Sequence, residues 1–416
     1  MTEYFHKFRL NYMMPIIAKI ILAILAIVMV PLYIKYWGID LYKEYILIFS
    51  LIAYSNIITS PMNNFMLKLK SNINKIKLYE IIFVDVILII MIVLPFIILY
   101  LYYSYDKKYI LFFSIITIIL ASLNGLLRNI FISIDKINLF SLFEILFSLL
   151  KLPVSFYIAH ILSNSKQEYL IVFFIFYSFL FFIENLVAFL YLRIKKLFEI
   201  KIQFLYVSKK LIIYKESFIY FILVVVIEVI TGTFDRLFLI KYATNDDFLI
   251  FTLALTIGVS YNLFMYPITS QSLPVFFDKK LIKEKIILVK LCYQEILFII
   301  LPTILIYLLI GNLFIDFWLR DTVSIELKNS VFEISLLLII GVVFNSLSAP
   351  LQNLLISISK ERNIMFYNVL FLFTLISSLI LTYLFGNIYS FAIAFCLSYL
   401  FKLILFSKGV LNVSKR

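Results

Sequence analysis

The sequence predicts an all-α polytopic membrane protein of about twelve transmembrane helices arranged in two six-helix halves. Composition is the first reason. Of 416 residues, 64% are hydrophobic and 15% are charged, and the mean hydropathy is +1.06, whereas soluble proteins are about half apolar and about a quarter charged. Second, the apolar residues form continuous blocks long enough to cross about 30 Å of hydrocarbon as helices. Third, an internal repeat relates the two halves. A water-soluble fold is therefore excluded.

A sliding hydropathy window of about 19 residues identifies twelve apolar blocks. They cover residues 13–35, 45–67, 78–101, 109–134, 138–162, 169–192, 212–239, 248–277, 286–310, 331–357, 364–385 and 387–407. The first block lacks a small-x-small cleavage site and exceeds the apolar region of a signal peptide, so we expect it to be retained as the first helix.

Lys and Arg are distributed unequally between the two sides of these spans. One side carries 22 of them and the other carries 8, while seven lie within spans. Because cytoplasmic loops are enriched in Lys and Arg, both termini are predicted to be cytoplasmic. The frequent use of Ile, Lys, Tyr, Phe and Asn suggests a low-GC bacterium, so we expect the membrane to be a bacterial inner membrane. The net charge of +13 then reflects positive loops facing an anionic leaflet and does not indicate nucleic-acid binding.

The connections between spans are too short to hold an extramembrane catalytic domain. The longest and most basic one divides the chain into an N-terminal half (1–195), a basic cytoplasmic linker (196–211) and a C-terminal half (212–416). Two cysteines and two histidines are too few for a disulfide framework or a metal site. We therefore expect no enzyme activity, no metal and no cofactor.

The two halves share a segment of similar sequence. Moving Ser122–Lys136 forward by 224 positions onto Ser346–Lys360 gives eight identities in 15 positions, including an Asn and a Lys. The two segments belong to the fourth and tenth spans, which run in the same direction, so the repeat is parallel. Such a repeat predicts a transporter with a substrate site near the membrane midplane, between the halves.

Ionisable residues within the spans are the candidates for function, because each costs about 2.5–3.5 kcal/mol at the centre of a membrane helix. Lys19 in the first span either snorkels toward the cytoplasm or lines a cavity. Lys215 opens the seventh span, where snorkelling is favoured. Arg128 and Glu144 lie at equal depth in a helical hairpin and are predicted to pair, either as a structural ion pair or as one that exchanges Glu144 for an anionic substrate.

Buried carboxylates are the candidates for ion coupling. Glu228 lies near the middle of the seventh span, and Asp235 lies two turns further along the same helix. A carboxyl group at such a depth can load and release a proton or hold Na⁺, or it can be a tolerated core residue. Asp85 and Glu184 are weaker candidates of the same kind. Arg236 and Asp235 form either a gate or an interfacial anchor.

Three segments carry a resemblance to a known family. They are Leu123–Arg128 with residues 140–150, residues 234–241 around Asp235 and Arg236, and Leu354–Asn368. Together with the layout of spans along the whole chain, they resemble the polysaccharide flippases of the Wzx type, in the multidrug/oligosaccharidyl-lipid/polysaccharide exporter superfamily with its MATE-like parallel repeat. A departure is the scarcity of glycine, with only 8 in the chain, where relatives often carry Gly.

The resemblance implies a function. The substrate would be an oligosaccharide repeat unit on a polyisoprenyl pyrophosphate, moved to the outer leaflet for O-antigen or capsule synthesis. The partner proteins would be glycosyltransferases and a polysaccharide polymerase. The cations Lys19, Arg128, Lys215 and Arg236 would bind the anionic lipid-linked sugar. The carboxylates Glu228, Asp235, Asp85 and Glu184 would couple transport to an H⁺ or Na⁺ gradient.

Two other functions remain open. A cation-coupled multidrug exporter of the same superfamily would prefer carboxylates and aromatics in its cavity, whereas the candidate cations favour an anionic substrate. A membrane polymerase or glycosyltransferase typically carries catalytic residues on a large outer loop, and the longest outward connection, residues 319–330, is short for that role.

Overall fold

The computed structural model describes residues 2–52, 108–133, 136–163, 165–195, 215–279, 281–320, 322–385 and 387–414. Within these ranges the chain forms helices and no strands. The helices are α1 (Thr2–Ile52), α2 (Lys108–Ser133), α3 (Ile137–Leu162), α4 (Lys166–Ile194), α5 (Lys215–Tyr242), α6 (Asn245–Asp278), α7 (Ile282–Trp318), α8 (Ile325–Ser357), α9 (Glu361–Phe385) and α10 (Ile388–Ser414). The predicted all-α class is confirmed.

The described helices follow the predicted spans closely. The helix α1 contains the first span, and α2 to α10 correspond to spans four to twelve. Most of the second span, the whole third span and the linker 196–211 lie outside the described residues. Among the helices that are described, seven contain a stretch long and apolar enough to cross a membrane. The chain is a multi-pass membrane protein.

The first helix departs from the prediction at its centre. We expected a connection at residues 36–44, whereas the structure shortens it to a break at Gly38 between two helical segments of α1. Gly38 has φ of 81° and ψ of 171°, a conformation that side chains with a Cβ strongly disfavour. A sequence window registers the fall in hydropathy there and cannot distinguish a kinked helix from a loop.

Helix α3 has the reverse of the pattern seen in soluble proteins. Its buried stripe is largely polar, with Ser141, Glu144, Ser148, Lys151 and Ser155 at helical spacing. Its exposed face is apolar and includes Leu142, Leu146, Leu149 and Leu150. A helix that places apolar side chains outward and polar ones inward is suited to lipid on one side and a polar interior on the other.

The chain divides into two compact units. The first comprises Met1–Leu25 and Tyr36–Val229, and the second comprises Ala26–Lys35 and Ile230–Arg416. In the first unit, α4 packs on α3 and α2. In the second, α8 packs on α6, α10 and α7. Helix α8 approaches α10 closely because Gly341 has no side chain: a Cβ there would lie 3.2 Å from the Cα of Cys396.

The internal repeat is visible in the local structure. Helix α2 ends at Ser133 and α8 ends at Ser357, and the following helices begin at Ile137 and Glu361. Both pairs of positions are 224 apart. The amide of Lys136 donates to the carbonyl of Phe131 at 2.8 Å, and the amide of Lys360 donates to the carbonyl of Leu355 at 3.0 Å. The two corners are therefore closed by the same hydrogen bond at matched positions.

Candidate functional site

Five ionisable side chains from four helices gather in the interior of the first unit. We call them the buried charge group: Lys19 of α1, Arg128 of α2, Glu144 and Lys151 of α3, and Glu184 of α4. Glu144 and Lys151 are seven residues apart, so they lie on one face of α3 and both belong to its buried stripe. This spacing is what brings two ion pairs next to each other.

The first ion pair is loose. The ammonium of Lys19 lies 3.5 Å from Oε1 of Glu144, and the two side chains are 12% and 11% exposed. Oε2 of Glu144 is buried and has no hydrogen-bond partner among the described residues. A buried carboxylate normally accepts several hydrogen bonds. Glu144 is therefore under-satisfied, and the contact that holds it is at the long end of the hydrogen-bond range.

The second ion pair is tight. The ammonium of Lys151 lies 2.5 Å from Oε2 of Glu184, and Glu184 is 1% exposed. The same ammonium lies 4.2 Å from the centre of the Phe181 ring and 6.0 Å from that of Tyr177. A cation over an aromatic face gains further electrostatic stabilisation in a desolvated place. Lys151 is thus held from two directions by α4.

Two asparagines connect this pair to α2. The side-chain amide of Asn124 donates to Oδ1 of Asn185 at 3.0 Å, and that of Asn185 donates to the carbonyl of Leu120 at 2.9 Å. Asn124 also hydrogen-bonds the carboxylate of Glu184. Side-chain hydrogen bonds between helices are typical of membrane-protein interiors, where water is absent. They position Glu184 for Lys151.

Cations outnumber carboxylates in the buried charge group. Arg128 is half-buried, and its charge acts on Glu144 together with those of Lys19 and Lys151. The group therefore carries three positive and two negative charges when all its members are ionised. An excess of positive charge among these described side chains favours the entry of an anion.

The structure brings several predicted residues together. Lys19 and Arg128 both act on Glu144, and Glu144 forms its direct contact with Lys19. Glu184 is paired with Lys151, a residue that the sequence analysis did not single out. The position of Lys151, seven residues after Glu144 on the same helix face, was the sequence feature that could have identified it. The roles assigned to these residues remain predictions.

The other predicted residues lie elsewhere or are not described. Asp85 is outside the described residues, and Lys215 begins α5 but its side chain is not described. Along α5, Glu228 and Arg236 are half-buried, whereas Asp235 is 3% exposed. An Asp235 oxygen accepts a hydrogen bond from the backbone amide of Arg236 at 2.8 Å.

The second unit has a polar interior of different chemistry. Lys402 donates to the side-chain oxygen of Asn345 at 2.9 Å and lies 5.2 Å from the Phe371 ring centre. Asn353 donates to the carbonyl of Thr269 at 2.6 Å and to the hydroxyl of Ser272 at 2.9 Å. In these contacts the partners are amides, hydroxyls and a backbone carbonyl, whereas in the first unit they are carboxylates.

Solved structures with the same fold were found across nearly the whole chain. The lipid II flippase MurJ in its inward closed conformation superposes with a TM-score of 0.69 at 14% identity, covering 97% of this chain and 87% of that protein. The Vibrio cholerae MATE transporter VcmN in the bent form gives 0.67 at 14% identity, covering 99% of each chain. A MOP superfamily transporter from Pyrococcus furiosus, described as having a binding pocket of reverse polarity, gives 0.66 at 11% identity and covers 96% of each chain.

The chain has the fold of MurJ and of MATE transporters. No family model and no curated protein matches its sequence. At such low identity the likeness shows the fold alone, and function has to be argued from the residues of this chain.

Proposed function

We propose that the protein is a flippase that moves an oligosaccharide linked to a polyisoprenyl pyrophosphate from the cytoplasmic to the outer leaflet, for the synthesis of a surface polysaccharide. The observation that carries this proposal is the excess of cations in the buried charge group. The fold supports it, because proteins of this fold include a lipid II flippase and several transporters. We therefore propose that the protein is a flippase of the Wzx type.

The charge of the substrate is matched by the charge of the site. Pyrophosphate is an anion that pays a large desolvation cost when it leaves water. Lys19 and Arg128 lie on separate helices, and both are partly exposed rather than sealed in the core. Charge-assisted hydrogen bonds from ammonium and guanidinium groups to phosphate oxygens would offset that cost.

Lys19 is the cation that exchanges partners. Its 3.5 Å contact with Glu144 is longer than the 2.5 Å contact between Lys151 and Glu184. Among the described residues, Lys151 also lies over an aromatic ring, whereas Lys19 does not. A pyrophosphate oxygen closer than 3.5 Å would draw Lys19 from Glu144. Lys151 would stay with Glu184 and keep α3 and α4 in place.

Glu144 then links the binding of the anion to the binding of a proton. When Lys19 turns to the substrate, Oε1 of Glu144 loses its contact with Lys19, and Oε2 already has no hydrogen-bond partner among the described residues. A carboxylate in that position is stabilised by taking up a proton. Binding of the anion and uptake of a proton at Glu144 would therefore favour each other.

The experiment is a gene deletion with complementation. Polyprenyl-linked lipids are extracted from the deletion strain and measured by mass spectrometry, and we expect a complete oligosaccharide unit to accumulate. Wild-type protein and Lys19→Arg should clear it, whereas Lys19→Ala should not. Lys290→Ala is the matched control, because Lys290 is an exposed lysine of the apolar helix α7. Membrane levels of every variant are compared by immunoblot.

The competing function is a cation-coupled drug exporter. It is favoured by the aromatic rings of Phe181 and Tyr177 beside the buried charge group, since aromatic faces attract cationic ligands. An exporter would leave lipid-linked oligosaccharides unchanged in the deletion strain and would alter its tolerance to cationic drugs. That result would overturn the flippase proposal.

A further inference from the structure

A cavity of about 610 Å³ opens at one end of the second unit. It lies where α7 begins, α8 passes into α9, and α10 ends, and it is lined by Ile358, Lys360, Asn363, Tyr367, Asn412 and Val413, among others. A cavity of this size is in the range of about 300–1,000 Å³ that holds small organic ligands. The distribution of Lys and Arg predicts that this end is cytoplasmic.

The wall that carries Lys360 is built rigidly. After α8, Ser359 adopts φ of 57° and its amide bonds to the carbonyl of Ile356, while the amide of Lys360 bonds to that of Leu355. This pair of bonds is a Schellman motif. On the other side, the buried ammonium of Lys285 donates to both the carbonyl and the hydroxyl of Ser357 at 3.0 Å, which ties α7 to α8.

The two matched positions of the first unit carry apolar side chains that pack into a core. Asn363 and Tyr367 correspond, 224 positions earlier, to Leu139 and Phe143, which pack against the hydrophobic cluster around Phe131 and Phe140. The two corners have the same backbone hydrogen bond. At these two positions the second unit has an amide and a phenol that line a cavity, where the first unit has two apolar side chains that pack on a hydrophobic cluster.

Gly409 of α10 leaves room for the ring of Tyr367 at the cavity wall. A Cβ at Gly409 would lie 2.7 Å from Cε2 of Tyr367, so any larger residue would push that ring away. The ring of Tyr367 instead rests against α10, edge-on to Phe406 at 5.6 Å. The phenol and the neighbouring amide are left lining the open space.

The charge of this end is positive. Among the described side chains of residues 281–285, 358–363 and 408–413 there are five cations and two carboxylates. The cations are Lys283, Lys285, Lys360, Arg362 and Lys408, and the carboxylates are Glu284 and Glu361. Lys360 itself lines the cavity, and Asn363, Asn412 and Tyr367 add hydrogen-bond donors.

We propose that this cavity binds the phosphate headgroup of an anionic phospholipid of the cytoplasmic leaflet. Lys360 and the amides face the phosphate, while Ile358 and Val413 contact the glycerol and the first methylenes. The apolar part of the lining favours a lipid over free phosphate. Basic pockets at the cytoplasmic ends of transmembrane helices are suited to such headgroups. All of its lining residues belong to the second unit and none to the buried charge group, and the proposal does not depend on the proposed transport function.

The test uses the full-length protein, purified and delipidated in detergent. Dioleoylphosphatidylglycerol is titrated and the bound lipid is counted by native mass spectrometry. Dioleoylphosphatidylcholine provides a headgroup without net charge, and excess inorganic phosphate serves as a competitor. The variants are Lys360→Ala, which removes the cation, and Asn363→Leu with Tyr367→Phe, which copies the first unit without changing the charge. Lys195→Ala, an exposed cation at the end of α4, is the control.

We expect one phosphatidylglycerol to bind before the others, and both cavity variants to weaken it by about tenfold or more, because charge-assisted hydrogen bonds are lost. Lys195→Ala should bind like wild type, and inorganic phosphate should not compete. Equal retention of phosphatidylcholine, or unchanged binding by the cavity variants, would overturn the proposal. Displacement of the lipid by inorganic phosphate would also overturn it and assign the cavity to a soluble phosphate. Thermal melting confirms that each variant is folded.

Discussion

Replacing Lys151 by methionine tests how the first unit is held together. The substitution keeps the length and the apolar stem of the side chain but removes its charge. Glu184, which is 1% exposed, then loses the ammonium at 2.5 Å. Removing one partner of a buried ion pair typically costs about 3–5 kcal/mol, because the other charge stays buried without compensation. We expect a loss of stability of that size.

Replacing both partners should cost much less. In Lys151→Met with Glu184→Met no charge is left uncompensated, and an apolar pair of similar volume is often neutral relative to a buried ion pair. The hydrogen bond from Asn124 to Glu184 would be lost, so a residual cost of about 1 kcal/mol is expected. Together with Glu184→Met alone, these variants form a double-mutant cycle in which we expect a large coupling energy.

The assay is thermal unfolding in detergent, followed by the loss of the monodisperse peak in size-exclusion chromatography. Lys290→Met is the matched control, because Lys290 is exposed on α7. Lys151→Met should melt several degrees below wild type, the double variant should recover most of that loss, and the control should remain near wild type. If Lys151→Met melts like Lys290→Met, the reasoning that this ion pair locks α3 to α4 is refuted.

Three further variants follow from the same geometry. Lys19→Ala should abolish clearance of the lipid-linked oligosaccharide while lowering stability by less than Lys151→Met does, since the 3.5 Å pair is weaker; equal melting losses for the two variants would contradict this order. Gly341→Leu should destabilise the second unit by about 1–3 kcal/mol through collision with Phe395 and Cys396, and Gly232→Leu, where a Cβ meets nothing within 4 Å, is its control in the same melting assay. Gly38→Ala should cost about 1–3 kcal/mol, because the cost arises from φ of 81° with ψ of 171° and not from crowding; a melting point unchanged from wild type would show that the kink tolerates a side chain.

The membrane character and most helix positions could be predicted from the sequence. Apolar blocks of sufficient length leave few alternatives to helices in a bilayer, and nine of the predicted spans correspond to α2 through α10. The parallel repeat was also accessible, because the segments ending at Lys136 and Lys360 keep a gapless register. The kink at Gly38 was not accessible, since a fall in hydropathy does not report a backbone angle.

Pairing inside the bundle could be predicted only in part. Depth along a hairpin suggested that Glu144 would meet Arg128, but depth does not say which of several cations at that level comes closest. In the structure Lys19 of α1 makes the direct contact. Lys151 was missed because its partner Glu184 lies 33 residues away on the next helix, and one sequence does not encode how α3 and α4 rotate against each other. The cavity near Lys360 is likewise created by three helix ends that are distant in the chain.

The central claim is tested most directly by finding the leaflet in which the lipid-linked oligosaccharide accumulates when the protein is depleted. Spheroplasts are treated with a membrane-impermeant glycan-modifying reagent before and after permeabilisation, and the modified lipid is measured by mass spectrometry. The account predicts a complete unit that is protected until the membrane is permeabilised, and restored to outside exposure by wild type and Lys19→Arg but not by Lys19→Ala. Accumulation in the outer leaflet, or no accumulation at all, would contradict it.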